Sequence, residues 1–217
     1  METYHKIQTV FHRDPEDKKH LLWGQFSEPE FAMLWRYPWV GTEKIDGTNI
    51  RVIWKDGEVE FRGKTDRAQI PPPLLRHLKL TFTPDKLQRV FPSGNFCLYG
   101  EGYGDGIQKV GKLYLPGYQS FILFDVFCID ANLWLERANV TDIASSLRDV
   151  SIVPIVFPGD GFLSDAVDFV KGGFNSKIAE KECPAEGLIL TPVGNFLDRR
   201  GQRIITKVKT CDFRKAE

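Results

Sequence analysis

The sequence carries no net charge, because 29 lysines and arginines balance 29 aspartates and glutamates. That excludes a protein coating nucleic acid by bulk positive charge, though not a local basic surface. Long apolar runs are missing as well. The longest, around Phe121 to Ile129, is broken by Asp125 and falls far short of the roughly 20 residues that span a bilayer. The opening METYHKIQTVFHRDPEDKKH has no apolar core of the signal-peptide kind, so a cytoplasmic protein without membrane partners is expected. Cys97, Cys128, Cys183 and Cys211 lie far apart with no Cys-x-x-Cys, and His5, His12, His20 and His77 show no ligand spacing. Neither a zinc site nor a disulfide framework is expected. A P-loop, the G-x-G-x-x-G and G-x-S-x-G patterns, H-E-x-x-H and an EF-hand are all absent.

What is present is ordinary globular material. Hydrophobic residues make up 42% and charged residues 27%, enough apolar side chain for a packed core and too much for wholesale disorder. No repeat or Ser/Gly linker divides the chain, so a single domain is expected. Many short strands are interrupted by irregularly placed helices, which favours α+β over a regular βαβ sheet. Ser27-Glu28-Pro29-Glu30 reads as a capping box before Phe31, Leu34 and Trp35. Asp56-Gly57 reads as the turn of a hairpin between 49–54 and 59–62. Pro71-Pro72-Pro73 reads as a loop, Thr83-Pro84 as the start of a short helix, and 164–170 as a helix ending at Gly172-Gly173. Strands are expected at 96–100, 121–127, 133–135, 188–191 and 203–210.

The chemistry begins at Glu43-Lys44-Ile45-Asp46-Gly47-Thr48-Asn49. Alone, Lys-x-Asp-Gly reads more readily as a charged strand end entering a glycine turn. Lysine is a nucleophile only when neutral, which desolvation or neighbouring cations favour. Further segments follow in order: Leu98-Tyr99-Gly100-Glu101-Gly102, Phe121-Ile122-Leu123-Phe124-Asp125-Val126, Glu186-Gly187-Leu188-Ile189-Leu190 and Ile205-Thr206-Lys207-Val208-Lys209. Lys207 and Lys209 are two apart on a predicted strand, so they share one face while Ile204, Thr206 and Val208 take the other.

This ordered set, from Glu43 to Lys209, resembles the covalent nucleotidyltransferase superfamily of DNA ligases, RNA ligases and mRNA-capping enzymes. Within it the chain is most similar to the second bacteriophage RNA-ligase family, which includes the trypanosome RNA-editing ligases. The signs are Thr48-Asn49 after Lys-x-Asp-Gly, the Phe124-Asp125 pair, and Arg203 to Lys209 followed by Asp212-Phe213. The resemblance implies an ATP-grasp-like α+β fold with antiparallel sheets flanked by helices. It also implies an ATP-dependent RNA ligase, with magnesium or manganese, that joins 5′-phosphate and 3′-hydroxyl ends of RNA or nicked duplexes in RNA repair. A monomer is expected, in the host cytoplasm if the gene belongs to a phage.

By the same resemblance Lys44 accepts the adenylate, Glu43 flanks the adenine pocket, Ile45 belongs to the ATP- and AMP-binding set, and Phe124 stacks on the base. Asn49 serves the phosphate or the incoming end, and Lys207 and Lys209 serve the AMP phosphate. Glu101 works near ribose or metal and Glu186 near metal and phosphate; either acid suits metal contact, direct or through water. One departure concerns Phe61-Arg62-Gly63-Lys64-Thr65-Asp66, where the family commonly carries a phosphate-gripping arginine. Lys64 stands in that place and Arg62 two residues earlier on the same face, so either supplies the contact; lysine does so without arginine's bidentate fork.

Arg199, Arg200, Arg203 and Arg214, with Lys215, make the C-terminal segment basic and suit phosphate tracking by nucleic acid or plain solvation. With eight residues after Lys209, the expectation is a nucleotidyltransferase domain over 1–217 without an OB-fold or other C-terminal domain. Such an enzyme is expected to seal pre-adenylated ends better than it completes all three steps. The rival readings are a capping-type guanylyltransferase and a non-catalytic end-binding protein.

Overall fold

Strand-forming and helix-forming stretches alternate irregularly along the chain, and the computed structural model, which describes residues 3–17 and 20–213, resolves them into short elements. The strands are β1 (Gln8–Thr9), β2 (Phe11–Arg13), β3 (Leu21–Phe26), β4 (Trp39–Glu43), β5 (Thr48–Lys55), β6 (Glu58–Gly63), β7 (Phe96–Gly104), β8 (Gln119–Cys128), β9 (Leu133–Trp134), β10 (Ser151–Ile152), β11 (Ile155–Phe157), β12 (Gly187–Pro192) and β13 (Thr206–Lys209). The helices are α1 (Pro29–Met33), α2 (Pro72–Thr81), α3 (Pro84–Val90), α4 (Gly111–Tyr114), α5 (Arg137–Leu147) and α6 (Leu163–Gly172). This is the expected α+β fold, with largely antiparallel sheets flanked by helices. No helix among the described residues is long and apolar enough to cross a membrane.

The chain divides into two compact units. The first holds Asp46–Val153 together with a short segment containing Tyr4 and His5 and another, Ala179–Lys181. Its sheet runs β10-β8-β7-β5-β6, with β9 on β8. Period-2 alternation puts Ile50, Val52 and Trp54 of β5, Leu98 of β7, and Phe121 and Leu123 of β8 into one core with Leu74 and Leu78 of α2. Leu87 of α3 and Val140, Ala144 and Leu147 of α5 complete it. Gly102 lies under α2, where a β-carbon would come within 2.3 Å of Leu74 Cδ2. Gly102→Ala is therefore expected to overpack this core by about 1–3 kcal/mol, lowering the urea midpoint; an unchanged midpoint would show that Leu74 has room to move.

The second unit comprises Lys6–Ile45, Pro154–Ile178 and the chain from Glu182 onward. Its sheet has the order β1-β13-β12-β4-β11, beside a β2–β3 ribbon. Trp39 of β4, Leu188 and Leu190 of β12, and Val208 of β13 pack against Leu163, Ala166, Val167 and Val170 of α6.

Four local expectations differ from the structure. Pro72 opens α2 rather than sitting in a loop, because a proline in a first helical turn lacks only an N–H that the helix leaves unpaired anyway. The Ser27 hydroxyl donates to the Thr9 carbonyl instead of capping α1, whose N-cap is Glu28. Helix α5 went unread because Val140, Thr141 and Ile143 blur its helical signal, yet Val140, Ala144 and Leu147 are buried at helical spacing. β13 is shorter than 203–210, and Arg203 instead bridges to Leu197.

Candidate active site

In the second unit three strand ends converge on one carboxylate. Lys44 follows β4, and its backbone N–H donates to the Gly187 carbonyl at 2.9 Å. Glu186 immediately precedes β12, and its carbonyl accepts from the Thr210 N–H at 2.9 Å. Lys209 ends β13 and pairs in register with Gly187. The Lys44 Nζ donates to Glu186 Oε2, and the Lys209 Nζ donates to Glu186 Oε1 at 2.6 Å. Gly187 makes this approach possible, since a β-carbon there would lie 2.0 Å from the Val208 carbonyl oxygen. Lys207 shares the Lys209 face, while Thr206 and Val208 are buried on the other, as the alternation predicts.

Two ammoniums and a carboxylate in contact leave Lys207 as an additional cation. Burial, then Lys209, Lys44 and Arg13, press its pKa down to about 8 from 10.5. The folded state therefore holds this proton less tightly than the unfolded chain. Stability withheld by Lys207 below about pH 8 returns as pH rises toward the unfolded value of 10.5. At Lys209 burial also disfavours the charge, but the Glu186 hydrogen bond and charge outweigh it and the pKa is raised.

Glu43 takes a different position from Lys44. It pairs with Leu188 and lies buried on the side of the sheet that carries Trp39. Its Oε2 accepts from the Lys177 N–H at 2.8 Å, and desolvation raises its pKa. Ile45 is buried as well. Asp212, buried in the turn after β13, accepts from Arg13 Nη2 at 2.6 Å. This pair anchors the end of the lysine-bearing strand, and Arg13 is a participant that the sequence reading missed.

In the first unit a second set of expected residues shares the sheet face opposite the core. Asn49 and Glu101 are direct cross-strand partners, as are Arg51 and Tyr99. A bulge between Tyr99 and Gly100 leaves Phe124 without a partner on β7. Phe124 packs beside Ile53, Cys97 and Tyr99. The Tyr4 ring meets it edge-on at 5.2 Å, and the Tyr4 hydroxyl donates to Asp125 at 2.8 Å. Arg62 lies opposite Arg51 on the same face, and Lys64 follows at the strand end. Asn49 Oδ1 and Arg51 Nη1 are buried without hydrogen-bond partners among the described residues. Arg51 is the second missed participant. Its one legible signal is a charge inside the apolar run Ile50-Arg51-Val52-Ile53-Trp54.

The C-terminal arginines are separate from the lysine cluster in character. Arg199 and Arg200 are exposed at a turn closed by Asp198, which accepts the Arg200 and Gln202 N–H groups at 2.8 Å. The Arg200 side chain folds back onto the same carboxylate. Arg214 and Lys215 lie outside the described residues. No group of three or more His, Cys, Asp or Glu side chains able to hold a metal occurs among the described residues. Glu186 in the second unit and Glu101 in the first are each a single carboxylate, a hard-oxygen donor suited to a divalent cation that keeps several waters.

Comparison with known proteins gives a family and a fold. Residues 37–209 match the RNA ligase family model, and the chain belongs to that family. No curated protein sequence gives a match. Among solved structures, a Naegleria gruberi RNA ligase mutant with AMP and Mn superposes with a TM-score of 0.63 at 21% identity, covering 83% of this chain and 52% of that one. Another mutant with ATP and Mn gives 0.64 at 21% identity, covering 83% and 51%. The same ligase with PPi gives 0.64 at 22% identity, covering 83% and 52%. At these identities the likeness establishes the fold alone, shared with these RNA ligases. The chain spans about half the length of these ligases.

Proposed function

We propose that the chain is an ATP-dependent RNA ligase, of the kind found in the second bacteriophage family, that self-adenylates on Lys44. The observation that carries this is the Glu186 carboxylate bridging Lys44 and Lys209 in a chain of the RNA ligase family. In the first step the Lys44 nitrogen attacks the α-phosphorus of ATP, a P–N bond forms, and the bond to the departing pyrophosphate breaks. Glu186, already in hydrogen-bond contact, is the nearest acceptor for the proton Lys44 must lose. Lys207 and Lys209 neutralise phosphate oxygens as charge develops. A magnesium or manganese ion would supply Lewis-acid charge at the phosphates; Glu186, or by family likeness Glu101, would hold it, chiefly through water. By family likeness Phe124 and Glu101 serve the nucleoside, and Asn49 serves the phosphate or the incoming end. In the later steps AMP passes to a 5′-phosphate, and a 3′-hydroxyl displaces it.

Labelled ATP and GTP offered in parallel test the reading. Transfer of label from ATP alone is expected; label from GTP would indicate a capping-type enzyme. Tight binding of nicked duplex without any adduct would indicate an end-binding protein. A panel of nicked and single-stranded RNA and DNA ends then defines the substrate.

The depressed Lys207 pKa gives an independent expectation. A phosphate brought beside it favours the ammonium, so AMP binding about half a unit above pH 8 should take up a proton. Calorimetric heats would then depend on buffer ionisation enthalpy in the native protein and not in Lys207→Met. Uptake that persists in the variant would assign the proton to another group.

A further inference from the structure

Arg62 and Lys64 are the two candidates for gripping phosphate, and the structure treats them differently. Arg62 Nε donates to Glu60 Oε1 at 2.6 Å, and its Nη1 reaches Asp66 Oδ1 at 3.0 Å. Lys64 is exposed and has no ion-pair partner among the described residues. Beneath both lies Arg51, fully buried at mid-strand in β5. Its Nε donates to the Gly63 carbonyl at 3.0 Å and its Nη2 to Asp66 Oδ1 at 2.8 Å. One guanidinium therefore holds both ends of the segment Gly63-Lys64-Thr65-Asp66. The Ala68 N–H closes the turn on the Thr65 carbonyl at 3.1 Å. A β-carbon at Gly63 would lie 2.8 Å from that of Ala68, so the turn is packed as well as bonded.

We propose that Arg51 and Asp66 form a latch that positions Lys64 to meet a nucleotide phosphate, with Arg51 and Asp66 as positioning residues and Lys64 as the contact. The inference rests on the nucleotidyltransferase reading. Lys64 has a long, flexible side chain at a strand end, where the backbone would otherwise fray. Fixing that backbone from below confines the ammonium, so less entropy is lost when phosphate arrives. Arg62 is committed to two carboxylates and is the less available cation. Hydrogen bonds from Arg51 and then Arg62 hold the Asp66 carboxyl below its usual range. The latch thus stays ionised at neutral and mildly acidic pH and opens only as pH falls through that lowered value.

A double-mutant cycle on the rate of adduct formation tests this, with ATP concentration varied for the native protein, Lys64→Ala, Asp66→Asn and the double variant. Asp66 is the preferred handle because it is exposed and asparagine keeps its shape. Asp66→Asn alone is expected to raise the ATP concentration for half-maximal rate by about 5- to 20-fold, with the maximal rate changed less than about twofold. In the Lys64→Ala background the same change should shift it by less than about twofold, because the latch then has nothing to position. Arg51→Lys keeps the buried charge but not the fork, and should reproduce the Asp66→Asn shift; Asp66→Glu should restore part of it. Equal effects of Asp66→Asn with and without Lys64 would overturn the latch, as would no effect in either background. Absence of an adduct in the native protein would overturn the underlying reading before any variant is compared.

Discussion

Lys44→Ala is expected to abolish adduct formation from ATP, a loss on the order of 10⁴-fold or more, because no other group replaces an attacking nucleophile. The loss should be confined to steps that need the lysyl adduct. A strand supplied with its 5′-phosphate already adenylated bypasses Lys44, so the variant should still seal it. Lys44 is partly exposed at a strand end and contributes no core packing, so thermal unfolding should remain cooperative. An adduct that survives in Lys44→Ala would remove the nucleophile assignment and leave Lys207 or Lys209 as the alternative. A variant that loses sealing of adenylated strands as well would show that Lys44 holds the site together rather than attacking.

The second large effect belongs to Glu186→Gln. Glutamine keeps the shape but cannot compensate Lys44 and Lys209 together, and it is a poorer acceptor for the nucleophile's proton. Adduct formation is expected to fall by about 10²- to 10³-fold, the scale seen when one charge-stabilising group is removed from an active site. Anion binding should move the other way. With Lys44, Lys207 and Lys209 no longer offset by a carboxylate, inorganic pyrophosphate offered without divalent metal should bind more tightly than to the native protein. Opposite movement of rate and affinity distinguishes an electrostatic role from loss of structure, which would weaken both. Weaker pyrophosphate binding in Glu186→Gln would contradict the account of this cluster.

Part of this arrangement was legible from spacing, while the roles of Lys44 and Glu186 came from the family resemblance. The two-residue interval between Lys207 and Lys209 placed both on one face of β13, and the structure keeps them there opposite buried Thr206 and Val208. The Asp56-Gly57 turn and Asn49–Trp54 anticipated the β5–β6 hairpin, because local turn chemistry and β-branched alternation act within a few residues. What escaped was non-local. Arg13 meets Asp212 across 199 positions, and nothing in the sequence near Arg13 announces a partner at that distance. Arg51 sits in a run of apolar residues whose period is satisfied without it, so a strand pattern alone cannot say that its guanidinium closes on Asp66. The proline triplet misled because the same residues serve a loop or a first helical turn, and Leu74 and Leu78 packing against β-sheet decided between them. Glu43 illustrates the limit of adjacency: it precedes Lys44 in the chain but packs on the other side of its sheet.

The most direct measurement is the site of covalent modification after incubation with ATP and magnesium or manganese, read by intact mass and peptide mapping. The account predicts a single AMP moiety on the peptide containing Lys44, attached through an acid-labile, alkali-stable P–N bond. AMP on Lys207 or Lys209, or no adduct under conditions where the protein binds ATP, would contradict it.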